Sequence, residues 1–163
     1  MVWYFQRIAT RLGLEREHDH LRRLDFGNAD ASSGLTTFWL GGSLEITPDE
    51  PLRFWQRLYA DSLPVAKPAM KEVRAMLVQP EGSVMNAMGV HPFAQPWPRG
   101  TVVSAKTGST SDRSGRGIRW LVGDVKLEGR DFQFVACVVG TPELAADAAV
   151  RLAEQGLRAA HML

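Results

Sequence analysis

The feature that most constrains this chain is the stretch from residue 101 to 139, where three β-patterned segments follow one another. The segments are 101–106, 118–126 and 132–139, and the last two read as an antiparallel hairpin around Leu127-Glu128-Gly129-Arg130-Asp131. A meander of this kind must bury a face against a second layer, and helical periodicity supplies candidates on both sides of it. Val2, Phe5, Ile8, Ala9 and Leu12 share one helical face, with Gly13 placed to end it. A second helix is expected over 15–24, with Glu15 and Glu17 early and Arg22 and Arg23 late, which suits the helix dipole. Thr47-Pro48-Asp49-Glu50 reads as a capping box with proline at the first helical position. It predicts a helix to about residue 60, with Leu52, Trp55, Leu58 and Tyr59 inward and Pro64 as the stop. A shorter helix is expected over 69–78. Residues 79–100 carry so many prolines and glycines that they read as loop. Thr141-Pro142 opens a last helix with Leu144, Ala148, Leu152 and Leu157 on one side. Helices, then a meander, then one helix make an α+β arrangement rather than alternating βαβ units.

At 163 residues the chain suits one domain, residues 1–163, with a real hydrophobic core. Nineteen basic residues stand against eighteen acidic ones, so nothing suggests a nucleic-acid footprint or a polybasic membrane patch. A small molecule or another protein is the expected partner. Cys137 is the only cysteine and lies in an apolar run, where it reads as a core thiol rather than a nucleophile. No apolar run approaches the roughly 20 residues of a membrane span. The opening Val2-Trp3-Tyr4-Phe5 meets Arg7 almost at once and offers no cleavage site, so no signal peptide is read in it. The abrupt apolar start gives the expectation that the chain begins inside a folded element, with a preceding segment missing.

Candidate chemistry gathers at Lys106-Thr107-Gly108, read as a strand end entering the small-residue loop Ser109-Thr110-Ser111. An ammonium supplies charge, a hydroxyl donates a hydrogen bond and glycine admits a ligand to the backbone, which together suit an anion. A backbone N–H just beyond could serve an oxyanion. Alone, the tripeptide is a weak signal and reads more readily as a plain strand end. Its context is more specific. Phe26-Gly27-Asn28 resembles the Tyr-Gly-Asn motif of class D β-lactamases. Phe38-Trp39-Leu40-Gly41-Gly42-Ser43-Leu44-Glu45-Ile46-Thr47-Pro48 resembles that family's Phe-Trp-Leu-x-Gly-Ser-Leu-x-Ile-Ser-Pro block. Lys106-Thr107-Gly108 resembles its Lys-Thr-Gly, and Trp120-Leu121-Val122-Gly123 its Trp-Phe-Val-Gly. Four blocks in order make the whole chain similar to the C-terminal part of a class D, oxacillinase-type serine β-lactamase or penicillin-binding sensor domain.

The resemblance implies a partial β-lactamase and transpeptidase-like fold, a β-lactam as ligand and no cofactor or metal. Val2 resembles the last position of a Ser-x-Val motif, with Met1 in the middle. Asn28 resembles the asparagine of the second motif. Trp39 resembles the tryptophan that steadies the carboxylated lysine base. Lys106, Thr107 and Gly108 resemble the substrate-side strand, and the Ser109 N–H an oxyanion donor. The plainer readings are a core aromatic for Trp39 and a turn asparagine for Asn28. The sequence also departs from the family. None of its serines has lysine three residues on, so the Ser-x-x-Lys that supplies nucleophile and base is not among these residues. The serine of Ser-x-Val is absent too. Phe26 lacks the usual tyrosine hydroxyl. Residues 144–147 hold no arginine for a substrate carboxylate, and Arg151 follows about two turns later. His18 and His20, two apart on a helix, point in different directions, and His91 and His161 stand apart from them, so no metal site is read.

Three functional readings follow: an enzyme family that hydrolyses β-lactams through an acyl-serine, a β-lactam-binding sensor domain, and a non-catalytic truncated remnant. The resemblance places the parent protein in the periplasm or outside the cell. The expected open edge of the 101–139 sheet also suggests a homo-oligomer.

Overall fold

The computed structural model describes residues 2–163. Four helices come first: α1 (Val2–Leu12), α2 (Leu14–Leu24), α3 (Asp49–Tyr59) and α4 (Lys67–Leu77). A small hairpin, β1 (Ser83–Asn86) with β2 (Gly89–Pro92), leads into β3 (Val102–Ser111), β4 (Gly117–Leu127) and β5 (Arg130–Gly140). The last element is α5 (Ala148–Ala159), and the arrangement is α+β as the patterning implies. No helix among the described residues is long and apolar enough to cross a membrane.

The helix boundaries follow local chemistry. Gly13, at φ 80°, separates α1 from α2. At α3 only half of the expected capping box forms. Glu50 accepts the Thr47 N–H at 2.6 Å, but the Thr47 hydroxyl also donates to Glu50 (3.0 Å) and caps no helix N–H. Trp55 and Leu58 are buried as expected, together with Pro51, while Leu52 and Tyr59 are half-buried. The helix stops at Tyr59, before Pro64 is reached.

Three expectations fail. Residues 79–100 are not all loop: Ser83 pairs with Pro92 and Asn86 with Gly89, so glycine and proline frame a hairpin there rather than preventing one. The strand expected to end at residue 106 runs five residues further to Ser111, because β4 pairs with it from Lys126 opposite Val102 to Gly117 opposite Ser111. Ser109, Thr110 and Ser111 are therefore strand, since the β4 ladder overrides their turn-like composition. Finally, α5 begins at Ala148 rather than at Thr141-Pro142. Its buried face is Ala149, Val150, Ala153, Glu154 and Leu157, while Leu152 points to solvent. Leu144 packs ahead of the helix, where a Cβ on Gly117 would lie 3.0 Å from its own Cβ.

The sheet order is β3-β4-β5, all antiparallel. Leu127 pairs with Arg130, leaving Glu128 and Gly129 as a two-residue turn with φ of 52° and 77°. Positive φ at both positions matches the twist of the flanking strands. One face of the sheet carries Val103, Ala105, Leu121, Val125 and Ala136 into the main core with Ala149, Val150, Ala153 and Leu157 of α5. The opposite face receives α3. Two smaller clusters, one around Phe38 and one around Met70, hold the helical region.

On the α3 side sits a polar row. Asp124 is fully buried, accepts a hydrogen bond from Gln133 at 2.9 Å, and has its other carboxyl oxygen without a partner among the described residues. Gln133 also donates to Asp131 (2.7 Å), which pairs with Lys126 at 3.0 Å. Burial, then the neighbouring Asp131 carboxyl, push the Asp124 pKa up to about 7. The folded state therefore keeps a proton that the unfolded chain releases above the ordinary value of 3.8. This contribution to stability is complete below that value, declines as pH rises through about 7, and is flat beyond. Asp131 is held low and titrates below this window. Asp124→Asn is expected to flatten the decline of the melting temperature between these two pH values. A variant whose pH profile matches the parent would show that Asp124 keeps its charge.

Candidate active-site cleft

A cleft of about 660 Å³ opens where β3 faces the segment between α2 and α3. Lys106, Thr107, Gly108 and Ser109 line it from β3, and Trp120 and Val122 from β4. Lys106 lies opposite Val122, and Gly108 opposite Trp120. Side chains two apart share a sheet face, so the register sets ammonium, glycine and apolar floor side by side. The facing wall is Phe26, Trp39, Leu44 and Ile46.

Close backbone approach seats that wall. Gly41 has φ 79°, and a Cβ there would lie 2.8 Å from the Ser111 carbonyl oxygen at the end of β3. Gly42 is equally confined, with a Cβ 2.9 Å from the Phe38 backbone. Ser43 and Ser33 exchange hydrogen bonds: the Ser43 N–H donates to the Ser33 hydroxyl oxygen (2.7 Å), and the Ser33 N–H to that of Ser43 (3.1 Å). Asn28 fastens the turn below. Its amide donates to the Ser43 carbonyl at 2.9 Å, and its oxygen accepts the N–H groups of Asp30 and Glu45, each at 3.1 Å. Asn28 thus holds the wall from behind and does not line the cleft. Trp39 does line it, half-buried, with its ring edge-on to Phe38 at 4.8 Å.

Lys106 is solvent-accessible at the cleft surface, and its ammonium donates to the Thr107 carbonyl. None of the ion pairs among the described residues includes it. Desolvation by the surrounding protein holds its pKa below the ordinary lysine value. The other cation on the cleft, Arg113, pairs with Glu45 at 3.3 Å and bridges the β3–β4 turn to the facing wall. Asp112 anchors that turn, accepting from the Ser114 hydroxyl (2.7 Å) and the Arg116 guanidinium (2.7 Å). The Ser114 hydroxyl and then Arg116 hold its pKa down at about 2.

The structure brings Trp39, Lys106, Thr107, Gly108 and Ser109 to one cleft and leaves Asn28 behind its wall. Val2 sits on α1, exposed and off the cleft, and Met1 lies outside the described residues. Arg151 pairs with Asp147 at 3.3 Å and does not line the cleft either. Two features escape the sequence reading. The Glu45–Arg113 bridge joins residues 68 apart, with no local signal. Arg119 reaches the Leu144 carbonyl at 2.8 Å and that of Ile118 at 3.0 Å, so an arginine does stand beside 144–147, but it comes from β4. Only the three-strand register could have placed it there.

Residues 1–156 match the family described as penicillin binding protein transpeptidase domain. The chain belongs to this family. The relatives it matches include class D β-lactamases. The chain is 36% identical to the probable beta-lactamase YbxI of Bacillus subtilis over 137 residues, which are 84% of this chain and 45% of that protein. It is 30% identical to beta-lactamase OXA-9 of Klebsiella pneumoniae over 153 residues, 86% of this chain and 50% of that one. The solved structure of class D beta-lactamase BAT-2 superposes with a TM-score of 0.77 at 30% identity, over 99% of this chain and 59% of that one. The C-terminal domain of the Bacillus licheniformis BlaR penicillin-receptor shares the fold, with a TM-score of 0.81 at 23% identity over 99% of this chain and 59% of that one. This transpeptidase-family chain therefore spans about half the length of the curated relatives it matches.

For this family member, the seating of Gly41 on β3 gives a direct test. Gly41→Ala combines a positive-φ alanine, costing roughly 1–3 kcal/mol, with a clash against the Ser111 carbonyl. Gly82→Ala carries the first cost alone, since φ is 67° and nothing lies within 4 Å of its added Cβ. Urea unfolding should show the larger loss for Gly41→Ala. Equal losses would mean that segment 38–46 yields freely.

Proposed function

We propose that this cleft binds β-lactams, and that these 163 residues do so without catalytic hydrolysis. The observation that carries the reading is Lys106, an ammonium with no acid partner among the described residues, set in a largely apolar cleft. A β-lactam combines an anionic carboxylate with a compact apolar ring system. Lys106 supplies the charge for the first, and Thr107 lines the same cleft. Phe26, Trp39 and Trp120 supply surface for the second. The Ser109 N–H is the candidate oxyanion donor. Trp39 would stand behind a base in the whole protein, and Val2 would belong to a motif completed by residues outside this sequence. Asn28 contributes by fixing the wall.

Hydrolysis through an acyl-serine needs a hydroxyl activated by a neighbouring base. No serine of this sequence has lysine three residues on, so that route is the activity of a longer family protein. The KTG-type strand and a truncated relationship to such a protein belong to this same proposal, as does a periplasmic or extracellular location. A sensor domain would use the same binding residues and differ in keeping its acyl group; the fold shared with the penicillin-receptor favours neither. Titration with benzylpenicillin is expected to show saturable binding with no turnover and no ester-linked acyl-serine. Lys106→Ala should weaken binding about ten- to a hundredfold, the equivalent of roughly 1.5–3 kcal/mol for a charge-assisted contact. Unchanged affinity in that variant would remove Lys106 from the site.

The same reading carries a proposal about assembly. The outer edge of β5 has no strand partner among the described residues, and Phe132 and Val139 on that strand are exposed. On α1, Val2, Trp3, Tyr4, Phe5 and Ile8 are exposed as well. An open edge and an apolar face recruit other surfaces, here a second copy of the chain. Light scattering across a concentration series is expected to show mass increasing beyond 18.0 kDa. A monodisperse monomer at high concentration would contradict it.

A further inference from the structure

We propose that Lys106 is itself an acyl acceptor, so that the cleft captures a β-lactam once, as an amide on the Lys106 Nζ. The inference rests on the β-lactam reading above and adds a reaction to it. The sequence holds only four lysines: Lys67, Lys71, Lys106 and Lys126. Lys67 and Lys71 lie on α4, away from the cleft. Lys126 is bound to Asp131 at 3.0 Å, and that hydrogen bond keeps its ammonium protonated to higher pH than an ordinary lysine. Lys106 differs from all three. It lines a ligand-sized cleft, no carboxylate pairs with it among the described residues, and its bond is to the carbonyl of the next residue. Phe26, Trp39, Trp120 and Val122 line the same cleft, and partial desolvation there lowers the Lys106 pKa, so the neutral amine is more abundant than on a free lysine. Lysines whose pKa is lowered in this way act as nucleophiles. The hydroxyls on the same cleft, Thr107 and Ser109 among them, have no histidine lining the cleft beside them to act as base.

The step conserves every atom. The Nζ lone pair attacks the strained lactam carbonyl carbon, and the carbonyl oxygen takes up the negative charge. The intermediate collapses by breaking the lactam C–N bond. The ring nitrogen receives the proton that Nζ sheds. The product is an amide between Lys106 and the opened ligand, with nothing lost. An amide resists water far better than an ester, so the site is consumed in one use. Holding the carboxylate and attacking the carbonyl are alternative states of one amine: the protonated form does the first, the neutral form the second.

The test uses the 163-residue chain and benzylpenicillin. Intact mass is expected to rise by the mass of one whole ligand, and peptide mapping to place it on Lys106. The adduct should survive hydroxylamine, which cleaves esters. At saturating ligand its rate should increase with pH, with a midpoint below that of a free lysine amine. Lys106→Arg should abolish it, and Lys126→Arg should not. Reversible binding is followed in parallel by tryptophan fluorescence, since Trp39 and Trp120 line the cleft. Saturable binding without an adduct overturns the inference and leaves the binding reading standing. An adduct spread over the four lysines without saturable binding overturns both. A hydroxylamine-labile adduct on a serine or threonine also overturns the lysine assignment.

Discussion

The antiparallel ladder between β3 and β4 is the constraint on which the rest depends. It runs from Val102 opposite Lys126 to Ser111 opposite Gly117 without interruption. Because strand side chains alternate, this one register assigns Val103 and Ala105 to the core and Lys106 and Gly108 to the cleft. A slip of one residue would drive a lysine into the face packed by α5 and expose alanine in its place. Burial of that face is therefore what holds the ammonium in position. Gly108 completes the arrangement: a Cβ at this point would sit 3.2 Å from the Trp120 Cβ. The indole keeps its place on the cleft floor because its cross-strand neighbour has no side chain.

Much of this was legible in the residues. The helices over 2–12 and 15–24 and the hairpin at 127–130 follow from periodicity, Gly13 and the Glu128-Gly129 turn, all local signals. Local chemistry misled where a partner strand decides the conformation. Ser109-Thr110-Ser111 looks like a loop in isolation and is strand only because residues 117–119 lie beside it. Leu152 fits a helical stripe with Leu144 and Ala148, yet the helix begins too late for that stripe to exist.

The candidate site divides the same way. Lys106, Thr107 and Trp39 could be named from motifs, since each sits in a block of recognisable order. Asn28 could be named but not understood. Its three side-chain hydrogen bonds go to backbone groups of its own and the 43–45 segments, so it acts as a fastener. Glu45–Arg113 and the reach of Arg119 to Leu144 could not be named at all. Each joins surfaces distant in sequence, and a single chain read alone carries no signal of such meetings.

Glu154 has a consequence of a different kind. From α5 its carboxylate accepts the N–H groups of Ala94 (2.9 Å) and Gln95 (3.3 Å), and Arg158 of the same helix grips both Glu154 and the Gln95 carbonyl. Phe93 and Trp97, in the main core, flank these anchored amides. The connection just before β3 is thus tied to residues about sixty positions later in the chain. During synthesis the ribosome delivers that connection first, and its two amides must wait in water until α5 has emerged. The hairpin β1–β2 can close on its own hydrogen bonds, but the approach to the Lys106 strand cannot take its final shape before α5 docks.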